Sequence, residues 1–193
     1  GWERDAPPLA AAAYRLKKLT NLFTALGDAV HQAAQLAVER VALHRPLPDA
    51  AELEECIRRK MRSVWQWSVS GREQFLQRPN QVPMLHEFYY GRGPSQELVD
   101  LINDRINRCA QGLAGACTLH ELAEGQGELV SCEQFDTFDL EGTQVYAVPD
   151  LICRRPAGGL LIVDWKTGRQ EDHNLEQVAL YGLYAHEKLG VLP

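Results

Sequence analysis

The sequence predicts an α/β fold, a mixed central sheet flanked by helices, and three observations predict it. Helix-period patterns fill the first part of the chain, β-type runs follow between residues 128 and 166, and a helical pattern comes last. The unbroken apolar run Leu160-Leu161-Ile162-Val163 reads as a strand covered on both faces. The 193 residues, 45% of them hydrophobic, are enough to bury one good core.

Taken in order, the first helix is expected over residues 20–43. Residues 50–77 carry Leu53, Ile57, Met61, Val64, Trp65 and Val69 at helical intervals, and residues 95–111 carry Leu98, Leu101, Ile102 and Ile106. Both read as amphipathic helices packed on a core. Thr118-Leu119-His120-Glu121 matches a capping box and marks the start of a short helix. Residues 128–140, a turn at Glu141-Gly142 and the strand after it are expected to form a three-stranded meander. Residues 145–154 and 160–166 are β-branched and apolar runs joined by Pro156-Ala157-Gly158-Gly159, the pattern of a hairpin. Residues 174–189 place Leu175, Val178, Leu180, Leu183 and Leu189 on a helix with a buried stripe. The expected organisation is a single domain over residues 1–193, with 44–127 as a mainly helical insertion. There is no internal repeat and no low-complexity segment.

No apolar run approaches the length of a membrane span, so a membrane partner is not expected. Five cysteines, Cys56, Cys109, Cys117, Cys132 and Cys153, are odd in number and contain no C-x-x-C pair; free thiols in a reducing, cytoplasmic setting are the simplest reading. The ends, Gly1-Trp2-Glu3-Arg4 and Val191-Leu192-Pro193, read as those of an incomplete chain.

The hairpin carries the chemistry. With its turn centred near Ala157 and Gly158, Asp150 falls almost opposite Trp165, with Asp164 and Lys166 among its nearest neighbours, about 4.5–8 Å away. Asp164 and Lys166 point to one face because side chains alternate along a strand. Mg²⁺ takes oxygen ligands, one or two carboxylates together with waters and phosphate oxygens, and two converging aspartates meet that demand. A lysine beside them orients a water or offsets charge on a phosphorane. The plainer alternative is an Asp164–Lys166 ion pair on an exposed strand, which the buried character of the preceding LLIV argues against. Gln177 and Tyr181 stand one helical turn apart, on one face.

The order VPD (148–150), IVDWKTG (162–168), then Gln177 with Tyr181 four residues on, resembles the RecB-like branch of the PD-(D/E)XK nuclease superfamily. Gly27, Val30 and His31 also fit that family's G-x-x-V-H helix pattern. The resemblance implies a restriction-endonuclease-like core. It implies a metal held by His31, Asp150, Asp164 and the backbone carbonyl of Trp165, with Asp150, Asp164 and Lys166 as the catalytic set. Gln177 and Tyr181 would support the site or contact DNA. Glu133 sits where relatives often carry a glutamate; a solvent-facing strand carboxylate is an equal alternative, and it stays outside the expected ligand set. Imidazole among oxygen ligands shifts preference from Mg²⁺ towards Mn²⁺, so both ions are candidates. With no cysteine after Cys153, an iron–sulfur cluster is not expected.

The implied function is metal-dependent hydrolysis of phosphodiester bonds in a DNA substrate, exonuclease rather than endonuclease, in DNA repair, recombination or defence, with any helicase or recombination partner open. The alternative is a catalytically weak nuclease-fold DNA-binding module or assembly subunit. A formal charge of −6 is unusual for a DNA-binding protein, which needs a basic face. Arg15, Lys17 and Lys18 form one basic cluster, and Arg58, Arg59, Lys60 and Arg62 another beside Trp65 and Trp67. Each reads either as a strand-binding track or as a solvated helix face with core tryptophans. The loop Met84 to Gly93 reads either as a channel lining or as a packed connector.

Overall fold

The computed structural model describes residues 6–168 and 173–191. The terminal residues 1–4, 192 and 193, read above as incomplete ends, lie outside the described residues. Helix α1 spans Pro8–Lys17, α2 Leu22–Ala42, α3 Ala50–Ser70, α4 Arg72–Gln77, α5 His86–Tyr89, α6 Gln96–Ala114 and α7 Cys117–Ala123. Strands β1 (Glu128–Cys132), β2 (Asp136–Leu140), β3 (Thr143–Ala147), β4 (Leu151–Arg154) and β5 (Leu160–Val163) follow, and α8 (His173–Leu189) is last. The α/β architecture predicted from the sequence is present.

Helix α2 is the axis of the helical layer. Asn21 caps it by accepting the Thr24 N–H at 2.9 Å. Its buried face is built largely of alanines, Ala25, Ala29, Ala33, Ala34 and Ala37, which let neighbouring backbones approach closely. Helices α3, α6 and α7 and strand β1 pack around it. The periodic segment 50–77 is two helices rather than one, because Gly71 ends α3 and α4 restarts beyond it. The short helix near residue 118 begins at Cys117 with Ala116 at its N-cap and no side-chain cap, so the expected capping box is not formed.

The three-stranded meander is not formed either. Strand β1 pairs antiparallel with β4, giving the sheet order β1-β4-β5, while β2 and β3 make a separate hairpin between them in sequence. That hairpin closes on Glu141 and Gly142, both with positive φ (50° and 83°), the two-residue turn the sequence marked. The described ladders are antiparallel; the parallel pairing is an isolated bridge, Thr20 to Leu85. Residues 145–154 do not run as one strand. Val148-Pro149-Asp150 interrupt them, since Pro149 has no N–H to give a ladder.

Strand β4 is central, with a core on each face. Leu151 and Cys153 join the helical core around α2, whereas Ile152 joins a second cluster with Phe138, Ala147, Tyr181 and Tyr184 beneath α8. The stripe α8 buries differs from the one its leucines suggest. Tyr181, Tyr184 and Ala185 are buried, and Leu175, Val178 and Leu183 are exposed. The tyrosines win because their hydroxyls find partners, Tyr181 on the Val148 carbonyl at 3.0 Å and Tyr184 on Asp136 at 3.1 Å. Among the described residues no helix is long and apolar enough to cross a membrane, and the five cysteines are free thiols.

Candidate active site

The β4–β5 hairpin pairs Leu151 with Val163 and Arg154 with Leu160, around a loop of residues 155–159 in which Gly158 and Gly159 take positive φ. Continued past its last pair, this register sets Asp150 level with Asp164, one residue from the position opposite Trp165 expected above. The longer loop accounts for the difference. Asp150 is only 4% exposed. Its Oδ2 accepts the Trp165 backbone N–H at 2.5 Å, which locks the carboxylate to the end of β5.

The other oxygen of Asp150 faces helix α2. His31 Nδ1 lies 3.3 Å from Asp150 Oδ1 and 2.8 Å from Glu133 Oε1. Glu133 follows β1 in a left-handed backbone conformation, φ 50°, rare for a residue with a side chain. The Glu133 N–H donates to the Asp150 carbonyl at 3.1 Å, which fixes that turn against the β4 entrance. One donor atom each from His31, Glu133 and Asp150 lie within 4.8 Å of one another.

Two carboxylates around one imidazole make an electron-rich centre. The Asp150 hydrogen bond, and then the charges of Asp150 and Glu133, raise the His31 pKa from 6.5 to about 9, against a desolvation that lowers it. Asp150 acts first through its hydrogen bond, and it is the more buried of the two carboxylates, its side chain 5% exposed against 24% for Glu133. The same surplus of negative charge suits a divalent cation, and one nitrogen with two carboxylate oxygens is a fitting donor set.

Beside this cluster runs a second chain of polar contacts. Lys166 Nζ is 2.7 Å from Asp164 Oδ2 and donates to Gln177 Oε1 at 2.8 Å. Gln177 Nε2 donates to the Tyr181 hydroxyl at 2.8 Å, which donates in turn to the Val148 carbonyl. Burial raises the Tyr181 pKa, so the hydroxyl keeps its proton for that bond. Residues just after β5, on α8 and in the loop before β4 therefore position one ammonium group.

The structure thus brings together His31 and Asp150 in one group, and Asp164, Lys166, Gln177 and Tyr181 in another, joined through the Asp150–Trp165 bond. Glu133, left outside the ligand set by sequence reasoning, stands in the first group. Its position, where relatives often carry a glutamate, was the available signal, but the left-handed turn that aims it has no sequence mark such as glycine. The basic cluster at 58–62 is half neutralised: Arg58 pairs with Glu54 and Arg62 with Glu55. Trp65 packs edge-on against Phe88 at 4.8 Å. The loop Met84 to Gly93 serves as a connector, with Met84 and Leu85 fully buried and Glu87 Oε1 accepting the Leu22 N–H of α2 at 3.1 Å.

Neither the curated proteins nor the solved structures contain a match to this chain. A family model of the PD-(D/E)XK nuclease superfamily matches residues 8–192. A histidine and two carboxylates gathered at the mouth of an antiparallel hairpin, with a lysine held at its edge, are thus set in the α/β framework of restriction-endonuclease type, and the chain belongs to the PD-(D/E)XK superfamily of metal-dependent nucleases.

Proposed function

We propose that this protein is a deoxyribonuclease of the RecB-like type that hydrolyses phosphodiester bonds as an exonuclease, in DNA repair, recombination or defence. The convergence of His31, Glu133 and Asp150 beside a positioned Lys166 is the observation that carries the reading. An ion, Mg²⁺ or Mn²⁺, would be held by His31, Glu133 and Asp150, and Asp164 and the Trp165 carbonyl would be its further ligands. Bound there, it would supply Lewis-acid chemistry, polarising a phosphoryl oxygen and lowering the pKa of water towards neutrality.

The chain's own residues do the remaining work. Lys166 orients the attacking water and offsets the charge that builds on the phosphorane, while Asp164 and Gln177 aim its ammonium group. Tyr181 anchors Gln177, so the aim is set by rigid elements. The free thiols agree with a reducing, cytoplasmic setting. Residues 1–193 act as one nuclease domain, with 44–127 as its helical insertion.

The test is digestion of end-labelled linear and circular DNA with Mg²⁺ or Mn²⁺, wild type beside Lys166→Ala and Asp164→Ala. Metal-dependent cleavage lost in both variants, with circles spared, is expected. Cleaved circles would make the enzyme an endonuclease, and inertness of the wild type with either ion would leave a nuclease-fold DNA-binding module.

A further inference from the structure

We propose that Phe23 and Arg105 form a base-stacking subsite next to the His31 cluster, so that the groove takes single-stranded DNA with one base against the Phe23 ring. The proposal rests on the nuclease reading and adds the form of the substrate.

Phe23, Gly27 and His31 recur every four residues on α2 and so share one face, with Phe23 about 12 Å along the axis from His31. All three line one groove of about 720 Å³, together with Lys60, Glu133 and Thr167. Its floor between Phe23 and His31 is the bare backbone of Gly27, where even an added Cβ would come no nearer Thr167 Oγ1 than 3.8 Å. A strand whose phosphate sits at the His31 cluster therefore has open space leading to Phe23.

Phe23 is 40% exposed in a groove otherwise lined by polar groups. The Arg105 guanidinium lies 4.9 Å over its ring, a cation–π contact that holds the ring in place. Arg105 also lines a neighbouring cavity of about 490 Å³ with Arg108, Lys166 and Thr167, and Thr167 belongs to both cavities. Among the described residues neither Arg105 nor Lys60 has a carboxylate partner, whereas Arg108 is paired with Asp104. Asp28 and Glu133 are the opposing charges on the groove wall, Glu133 at its His31 end. An unneutralised cation over an exposed ring and a second cation lining the ring's groove, in a chain of charge −6, match what a single strand requires: backbone phosphates for the cations and an unstacked base face for the ring. A duplex keeps its bases stacked and offers no such face.

The test is fluorescence anisotropy with labelled oligothymidylate, an abasic strand of equal length and a blunt duplex, in Ca²⁺, with cleavage scored separately. Phe23→Ala is expected to weaken oligothymidylate binding about 10-fold while leaving the abasic strand and duplex unchanged, and Phe23→Trp to restore it. Arg105→Ala is expected to lower the salt slope of single-strand binding by about 0.7. Equal oligothymidylate affinity of wild type and Phe23→Ala overturns the subsite, as does an equal loss on the abasic strand or no single-strand binding by wild type. Cleavage with unchanged Phe23→Ala binding removes the subsite and keeps the nuclease, whereas Phe23-dependent binding without cleavage in any metal does the reverse.

Discussion

His31 and Glu133 are 102 positions apart in sequence and meet at 2.8 Å between Nδ1 and Oε1. If that contact marks a shared ion, Glu133→Gln, which keeps the volume and removes the charge, lowers Mn²⁺ affinity by about 10-fold or more in calorimetric titration. Asp139→Asn, on the exposed edge of β2, leaves it unchanged. Full affinity in Glu133→Gln together with loss in Asp164→Asn would return the site to a set without Glu133.

Proton and metal compete at His31. Its pKa rises on folding from 6.5 to about 9, so it takes up a proton as the metal-free protein folds. The stability this contributes is complete below pH 6.5 and lost as pH rises through about 9. In thermal melts of EDTA-treated protein, the advantage of wild type over His31→Gln should therefore shrink across that window. Mn²⁺ affinity should move the other way, strengthening with pH as about one proton is released per ion bound. An affinity flat between pH 6.5 and 9 would show that His31 is not a ligand.

What could be read from the sequence was local. Helices α3, α6 and α8 follow from apolar periodicity, α2 fills the helix expected over residues 20–43, and the β4–β5 hairpin follows from two strand runs around paired glycines. The pairing of β1 with β4 across an inserted hairpin is a long-range choice that no local pattern encodes. The buried face of α8 went to Tyr181 and Tyr184 because hydrogen-bond partners for their hydroxyls lie on other elements. His31, Asp150, Asp164 and Lys166 were legible as motif residues. Glu133 was less so, because its direction depends on a backbone turn that glutamate rarely adopts.

Gln177 separates a positioning role from a binding one. Gln177→Leu removes the acceptor of Lys166 Nζ while filling the same space on α8. The expected outcome is a kcat about 10-fold lower with KM little changed, since the loss falls on an interaction made in the transition state. Gln177→Glu, which keeps an acceptor for Lys166, should recover part of the rate. A raised KM at constant kcat would instead make Gln177 a DNA contact.

Stability away from the site tests the fold itself. Asp49 Oδ1 accepts the Glu52 N–H at 2.8 Å and Glu52 Oε2 accepts the Asp49 N–H at 3.2 Å, a reciprocal capping box at the start of α3. Glu52 also takes both terminal nitrogens of Arg40, at 2.7 and 3.1 Å, tying α3 to α2. That ion pair is exposed and screened, so the cap is the stronger feature. Asp49→Ala should lower Tm by roughly 2–4 °C, as loss of a cap does in a chain of this size. Arg40→Ala should lower it less, and nuclease activity at low temperature should survive both changes, since neither residue reaches the cluster around His31. A larger drop for Arg40→Ala than for Asp49→Ala would mean that the α2–α3 tie, rather than the cap, holds this helix in place.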